Sequence, residues 1–259
     1  MEISINILSY KRDVVSTLRY LPFATLWVCE TEYDKYREKY PDTKIIKMKE
    51  GIQGNVSRVR NHILDTEFER GVEAVCILDD DLRGVFRHDI NDVNGSESNL
   101  LVSDNFIDFL QANSELCLEW GFKLWGLALN KDKLNYLHYI PFNTKAMILG
   151  PFSVHLKNNI RYDERLFLKE DYDLCIQHIN RYRGVLRLNS YFYDCKQSVN
   201  VGGCAFQRNI EREKEQITLL QKKWGRGIVR LDRTVSHKTN KERSKIDYNP
   251  IIRIPINGI

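Results

Sequence analysis

Long apolar segments and paired cysteines are both missing from this 259-residue sequence. No stretch approaches the roughly 20 apolar residues of a membrane-spanning helix, so we expect no membrane segment. The opening residues, MEISINILSYKR, hold no basic segment followed by a long apolar run, which predicts no secretory signal and a cytoplasmic location. The six cysteines form no C-x-x-C pair, and several lie in apolar runs. We therefore expect reduced core cysteines instead of a zinc site or a disulfide framework.

A Walker phosphate loop is missing as well, because the pattern G-x-x-x-x-G-K-[ST] does not occur. A nucleotide, if one binds, must be held in another way. Internal repeats and low-complexity tracts are also missing.

The residues that are present are typical of a soluble globular protein, with 42% hydrophobic and 29% charged residues. The length favours one α/β core with appended elements. The net charge is +4, but the segment 208–245 holds 12 Lys and Arg against 5 Asp and Glu, a local +7 that leaves −3 for the rest. Such a segment suits a polyanion such as nucleic acid, and it is equally typical of a solvated helix face.

Strand and helix patterns alternate through the first half of the chain. The predicted strands are 2–9, 23–29 and 44–48, and the predicted helices run from Asp13 to Pro22 and over 31–40. Alternation at this spacing predicts an α/β fold with a mostly parallel sheet flanked by helices. Further helices are expected at 55–70, 106–120, 170–183 and 209–224, and a late strand at 185–193.

Three consecutive acids follow a buried strand in the stretch GVEAVCILDDDLR. The apolar run 74–78 predicts the strand, and Asp79, Asp80 and Asp81 end it. Ligands of open α/β sheets gather beyond the carboxyl ends of the strands, and clustered carboxylates suit a hard divalent cation. A solvated acidic turn or a helix N-cap would need the same residues, so both interpretations remain open.

A glycine-containing loop precedes the helix predicted at 55–70. Gly51 and Gly54 flank this loop, and Arg58 and Arg60 lie near the start of the helix. Backbone amides, the helix dipole and the arginines together could hold a phosphate. Farther along, the pair Gly150-Pro151 interrupts an apolar strand, and we expect a bend there whose backbone approaches a ligand closely.

A second acidic group opens the helix predicted at 170–183, in the sequence LKEDYDL. Acidic residues in a first turn stabilise a helix through its dipole, which is sufficient reason for Glu170 and Asp171 to be there. A carboxylate at the mouth of the sheet could also act as a general base. The pattern alone does not separate the two roles.

Four motifs, ILSYKR, GNVSRVRN, ILDDD and LKEDYDL, occur in this order between residues 7 and 174. Together they resemble the glycosyltransferases of the GT-A fold that use nucleotide-sugars and belong to a family 2-like group. More narrowly, SYKR, GIQGNVSRVRNHIL and the two acidic stretches resemble the TET/JBP-associated glycosyltransferases, which are found largely in phages and are thought to modify hydroxymethylated pyrimidines in DNA. The resemblance implies one domain with a nucleotide-binding half (1–100), an acceptor half (101–205) and a basic C-terminal extension (206–259).

The resemblance implies a UDP-sugar donor bridged by Mn²⁺ or Mg²⁺. Asp81 would ligate the metal, with Asp79 on the metal or the ribose, and His237 could complete the metal shell. Asp171 would be the general base of an inverting transfer, with Glu170 as the second candidate. Contacts to the donor nucleotide are implied for a further set of residues: Ser9, Tyr10, Arg12, Glu30, Arg60 and Asp80.

The implied acceptor is DNA with a hydroxymethylated pyrimidine, which base flipping would present to the site while the basic segment binds phosphates. Three alternatives stay open. An enzyme of the same fold with a saccharide, lipid or protein acceptor would be indifferent to DNA. A nucleotidyltransferase would release pyrophosphate, although its usual glycine-rich signature is missing after the first strand, and a non-catalytic DNA-binding module would hydrolyse no donor.

Overall fold

The computed structural model describes residues 1–89, 91, 98–129, 136–195, 209–231 and 249–255. Ten strands form one sheet: β1 (Ile3–Leu8), β2 (Thr25–Cys29), β3 (Ile45–Met48), β4 (Ala74–Asp79), β5 (Leu82–His88), β6 (Ser98–Leu100), β7 (Leu124–Ala128), β8 (Phe142–Asn143), β9 (Phe152–Leu156) and β10 (Leu186–Cys195). Two further strands, β11 (Val229–Leu231) and β12 (Pro250–Ile252), form an antiparallel pair.

The strand order in the large sheet is β3-β2-β1-β4-β9-β7-β10-β5-β6, with β8 paired to β10. The pairs β1–β2, β2–β3, β1–β4 and β7–β10 are parallel, whereas β9, β5 and β8 run against their neighbours. Seven of the ten strands therefore point in one direction. The expected α/β fold with a mostly parallel sheet is confirmed.

Helices cover both faces of the sheet. They are α1 (Thr17–Tyr20), α2 (Tyr33–Lys39), α3 (Val56–Glu69), α4 (Phe106–Glu119), α5 (Glu170–Tyr182) and α6 (Ile210–Trp224), with 3₁₀ turns at Glu30–Glu32 and Ser103–Asn105. The neighbours Ile77 and Leu78 of β4 belong to two different core clusters, because side chains alternate across a strand. Leu78 packs in the cluster that holds Phe106 of α4, and Ile77 packs in the cluster that holds Val59 of α3.

Helix α6 is attached to the N-terminal half of α5 by polar contacts. The Trp224 indole Nε1 donates to Asp173 Oδ1 at 2.7 Å, and Lys223 Nζ lies 2.9 Å from the same carboxylate. Asp173 is fully buried, so these two donors offset the cost of removing its charge from water. This contact places the start of the basic extension beside α5, and residues 232–248 of that extension, with His237, lie outside the described residues.

The first helix is much shorter than the sequence predicts. The pattern from Asp13 predicted a helix up to Pro22, but α1 starts at Thr17 and Val14 is exposed. The backbone amide of Val15 donates to the Tyr40 hydroxyl at 2.8 Å, and that of Arg12 donates to the Tyr36 hydroxyl at 3.1 Å. The hydroxyls of Tyr36 in α2 and of Tyr40, the residue after it, thus satisfy two amides of the segment between β1 and α1.

Cys29, Cys76, Cys117 and Cys175 are free and buried in the core, and Cys195 is half-buried. This agrees with the expectation of reduced core residues. Within the part of the chain that the structure describes, no helix has the length and apolarity needed to cross a membrane.

Candidate active site

The three consecutive acids lie where β4 ends, in the middle of the sheet. Thr17 fixes this turn: its hydroxyl donates to the Asp79 carbonyl at 2.6 Å and accepts from the Leu82 amide at 3.0 Å. The Asp79 amide donates to the Pro151 carbonyl at 3.2 Å. The backbone of the turn is thus tied on both sides, and the side chains of Asp79 and Asp80 bond to different partners.

Asp80 joins the ends of β1 and β4. It is buried, and its carboxylate accepts from the Ser9 hydroxyl at 2.7 Å and from Arg12 Nε at 3.1 Å. The Tyr36 hydroxyl is 2.9 Å from the Ser9 hydroxyl, so it extends the network to α2. Burial raises the pKa of Asp80 to about 6, and Arg12 and Ser9 oppose that rise by stabilising the charged form. Ser9, Arg12 and Asp80, which sequence analysis assigned to the nucleotide, thus form one network.

Arg60, in the first half of α3, pairs with Asp79 and with Glu170. Its Nη2 donates to Asp79 Oδ1 at 3.0 Å and to the Gly150 carbonyl at 3.1 Å, and its Nη1 donates to Glu170 Oε1 at 3.0 Å. The residue is only 2% exposed. Burial opposes the charge, but Asp79, Tyr162 and Glu170 raise the pKa of Arg60 above its usual value, so the guanidinium stays protonated.

Gly150 makes room for this guanidinium. A Cβ atom added at Gly150 would lie 2.9 Å from Arg60 Nη2 and 3.4 Å from Nη1, closer than side chains normally approach. The bend at Gly150-Pro151 was expected to bring its backbone close to a ligand. The structure brings this backbone close to Arg60 and within 3.4 Å of the Asp171 carboxylate.

Glu170 and Asp171 open α5 and differ in their surroundings. Glu170 is buried against Arg60, and burial followed by the charge of Asp171 raises the pKa of Glu170 to about 8. Asp171 is more exposed, and within the described part of the chain its carboxylate accepts from two backbone amides, Tyr172 N at 2.8 Å and Gly150 N at 3.4 Å. Burial also raises the pKa of Asp171 above its usual value, while Arg60 opposes the rise. Asp171 is therefore the carboxylate of the pair that remains available to a substrate.

Asp81 is the acid of the triplet without a salt bridge to any described residue. Burial, with the charges of Asp79 and Asp80, raises the pKa of Asp81 to about 7, so a cation beside it would favour the ionised form. In the described ranges, no group of three or more His, Cys, Asp or Glu side chains is arranged to hold a metal by itself. The carboxylate oxygens of Asp81 and Asp79 fit a hard cation that takes its remaining ligands from a diphosphate and water.

The other residues assigned to the donor are less closely connected. Glu30 is exposed and its carboxylate accepts from the Glu50 amide, and Tyr10 is half-buried with the Lys11 ammonium 5.0 Å from its ring centre. Lys11 adopts a left-handed backbone conformation at φ 53°, which an L residue seldom takes outside tight turns. Its amide donates to Glu32 at 3.1 Å, so the loop after β1 is held over the end of β2.

The N-terminus of α3 has its own capping residue. The Asn55 side chain accepts from the amides of Ser57 and Arg58, and the Arg58 side chain pairs with Glu164 at 2.9 Å. The amides and the guanidinium that could have held a phosphate here therefore have partners within the protein.

Sequence analysis missed several residues of this site. Tyr36 and Thr17 lie on helices with no motif of their own, and Tyr193 of β10 carried only the signal of an apolar strand. Their positions depend on contacts between segments that are distant in the sequence. The consecutive acids and the pair Glu170-Asp171 were visible because each group is local.

Two solved structures resemble the chain at a distance. The Staphylococcus aureus TarS fragment 1–349 matches at a TM-score of 0.47 and 12% identity, over 85% of this chain and 66% of that chain. A putative nucleotide-diphospho-sugar transferase from Desulfovibrio desulfuricans matches at a TM-score of 0.40 and 13% identity, over 73% of this chain and 80% of that chain. A search among curated proteins found no significant match.

The sequence profile of the TET-associated glycosyltransferases matches residues 12–203, about three quarters of the chain and the part that holds both acidic groups. The match confirms the resemblance drawn from the four motifs. The protein belongs to the TET-associated glycosyltransferase family and is a glycosyltransferase.

Proposed function

We propose that this enzyme transfers a sugar from a UDP-sugar to the hydroxymethyl group of a modified pyrimidine in DNA, with inversion and with the help of Mn²⁺ or Mg²⁺. One observation carries the proposal. Arg60 binds both Asp79 and Glu170, and so it fixes the acids at the end of β4 relative to the acids at the start of α5. A transfer reaction needs these two groups, one at the leaving diphosphate and one at the attacking hydroxyl, at a constant separation.

The donor would lie beyond the ends of β1, β2 and β4. Asp81 and Asp79 would hold the metal, which supplies positive charge to the leaving diphosphate when it is bound. The network of Asp80, Ser9 and Arg12, with Tyr10 and Glu30 on the adjacent loops, would form the wall that contacts the base and ribose. His237 stays in the proposal as a third metal ligand from the C-terminal extension.

Arg60 has a different part in this proposal from the donor contact that sequence analysis gave it. Its guanidinium is buried and bonded to protein oxygens, so it would act on the reaction by holding Asp79 and Glu170 in place. Glu170, which pairs with Arg60, would also help to hold these groups in place.

Asp171 would be the general base. As the acceptor hydroxyl attacks the anomeric carbon, its proton passes to the Asp171 carboxylate, the new carbon–oxygen bond forms, and the bond to the diphosphate breaks on the opposite face. That single displacement inverts the anomeric centre. The raised pKa of Asp171 makes it a stronger base than an ordinary aspartate, provided that the pH keeps it ionised.

The acceptor is supported by two observations of different kinds. The family to which the chain belongs is named for its association with TET enzymes, and segment 208–245 carries a local charge of +7. A hydroxymethyl group inside a duplex would leave the base stack by base flipping to reach the half-buried Asp171 carboxylate. Phosphate contacts from the basic segment would offset part of that cost.

Mass spectrometry of nucleosides tests the proposal. DNA containing 5-hydroxymethylcytosine or 5-hydroxymethyluracil is incubated with the protein, Mn²⁺ and each member of a panel of UDP-sugars, and then digested. We expect the mass of one hexose or pentose on the modified nucleoside and none on DNA with ordinary pyrimidines. Release of UDP without any change in DNA mass would reject DNA as the acceptor, and transfer to added saccharides would then identify the alternative class.

A further inference from the structure

Tyr193 of β10 is a buried tyrosine beside the two acidic groups. It pairs with Val85 of β5, the strand that begins directly after Asp81, and its side chain is 3% exposed. The carboxylates of Asp79 and Asp171 lie within electrostatic range of its hydroxyl. Tyr193 therefore lies near both the acid assigned to the donor and the acid assigned to the acceptor.

The Tyr193 hydroxyl is buried and has no hydrogen-bond partner among the described residues. A buried hydroxyl without a partner costs free energy, because it has given up its bonds to water and received nothing in return. The other buried tyrosines of the same layer do have partners: the Tyr36 hydroxyl bonds to Ser9 and the Tyr20 hydroxyl bonds to the Leu101 carbonyl. This contrast calls for an acceptor that is supplied by a ligand.

The phenol is a hydrogen-bond donor at any pH at which the enzyme would work. Burial raises the pKa of Tyr193 well above its usual value, and the charges of Cys195, Asp79 and Asp171 raise it further. The hydroxyl thus stays protonated, and its missing partner is an oxygen atom that can accept.

We propose that the Tyr193 hydroxyl donates a hydrogen bond to a hydroxyl oxygen of the transferred sugar. The inference rests on the proposed function, because it takes Asp79 as a residue of the donor side and Asp171 as the base. In a single displacement the sugar ring lies between the leaving diphosphate and the attacking oxygen, and Tyr193 lies near the acids that serve these two groups. A donor at that point contacts the ring and can discriminate among sugars that differ in one hydroxyl.

The test compares Tyr193→Phe with Tyr20→Phe. Both substitutions remove one buried phenolic hydroxyl, but the hydroxyl of Tyr20 donates to a backbone carbonyl at 2.6 Å. For Tyr193→Phe we expect a midpoint of urea unfolding equal to or above that of the wild type, unchanged affinity for UDP by calorimetry, and kcat/KM for the UDP-sugar lowered about tenfold. For Tyr20→Phe we expect the opposite pattern, with lower stability and unchanged kcat/KM.

Several results would overturn the inference. Wild-type kcat/KM in Tyr193→Phe would exclude a contact with the sugar and leave the proposed function intact. A loss of stability like that of Tyr20→Phe would show that the hydroxyl has a partner within the protein, and an equal loss of UDP affinity would assign the contact to the nucleotide. If the wild-type protein itself neither binds UDP nor turns over any UDP-sugar, the proposed function fails first and the inference falls with it.

Discussion

Arg60 and Glu170 are 110 residues apart in the sequence, and Arg60 Nη1 donates to Glu170 Oε1 at 3.0 Å inside the protein. The second terminal nitrogen of the same guanidinium donates to Asp79 at 3.0 Å. A planar fork with two terminal nitrogens can bind two carboxylates in this way, whereas a lysine offers a single point of charge. The relative placement of the two acidic groups therefore depends on one side chain of α3.

Replacing Arg60 by methionine should destabilise the protein strongly. The substitution leaves Asp79 and Glu170 without their common partner, and breaking a buried ion pair on one side costs roughly 3–5 kcal/mol. Urea unfolding measures the change. Arg58→Met is the matched control on the same helix: its ion pair with Glu164 is largely exposed, so its loss should cost about 0–1 kcal/mol. Equal costs for both variants would contradict the central place given to Arg60.

Gly150→Ala should impair transfer more than it impairs folding. The new methyl group would lie 2.9 Å from Arg60 Nη2 and would push the guanidinium away from Asp79. We expect an unfolding free energy lower by roughly 1–3 kcal/mol and transfer lowered by tenfold or more, about 1.4 kcal/mol per factor of ten. Gly227→Ala is the control, since a Cβ atom there meets nothing within 4 Å, and it should leave both quantities nearly unchanged.

Separate substitutions of Asp171 and Glu170 distinguish the proposed base from its neighbour. The amide in Asp171→Asn keeps the shape of the side chain but cannot accept the proton, so kcat should fall by roughly 10²- to 10⁴-fold while the affinity for the UDP-sugar is kept. Glu170→Gln weakens the ion pair to Arg60 and should lower stability as well as activity. Isothermal calorimetry, rate measurements and urea unfolding on both variants give the comparison, and a fully active Asp171→Asn would remove Asp171 as the base.

Two buried histidines predict a loss of stability in acid. His155 bonds to Ser153 and Tyr162, and His178 donates from Nδ1 to the Leu174 carbonyl at 3.0 Å. Burial lowers the pKa of His178 to about 4 and the pKa of His155 well below its usual value. The unfolded chain takes up these protons near pH 6.5 and the folded chain does not, so their contribution to stability is complete above pH 6.5 and falls as the pH drops towards 4.

The carboxyls with raised pKa values, among them Asp81 and Glu170, change stability in the opposite direction over part of the same range. These carboxyls are present in both the wild type and His178→Gln, so the difference in unfolding free energy between the two proteins reports the contribution of His178. Between pH 6.5 and 4 the wild type should lose about 2–3 kcal/mol more than the variant. Parallel curves of unfolding free energy against pH would show that His178 titrates normally in the folded protein.

Much of the fold could be predicted from the sequence, because the patterns that indicate helices and strands are local. Asn55 caps α3 where the pattern placed a helix start, and α6 and β10 lie close to their predicted ranges. The short α1 was not foreseeable, because the hydroxyls of Tyr36 and Tyr40 hold the amides of residues 12 and 15 only after the chain has folded. Strand β5 was missed for a related reason: it follows the acids at once, and its partner β10 comes about 100 residues later.

The candidate site shows the same contrast between local signals and contacts that form only on folding. Asp79, Asp80 and Asp81 were found from one stretch, and Glu170 with Asp171 from another. The bridge between the two acidic groups was not visible, because the sequence assigned Arg60 to the donor and gave no sign of its pairing with Glu170. Nothing in the stretch around Tyr193 distinguished it from a core tyrosine. Ion pairing and unsatisfied hydroxyls are properties of packing, and they become visible only in three dimensions.

Strand β10 changes neighbours along one edge, where Arg187 and Leu188 pair with β8 and Tyr191 to Cys195 pair with β5. Along its other edge it pairs with β7, with a shift of register between Leu188 and Phe192. The few residues at that junction act as a spacer of fixed length. Since side chains alternate from face to face, deletion of a single residue there would rotate Tyr193 to the other side of the sheet while both ladders could still form. Evolution can therefore vary the composition of this junction far more freely than its length.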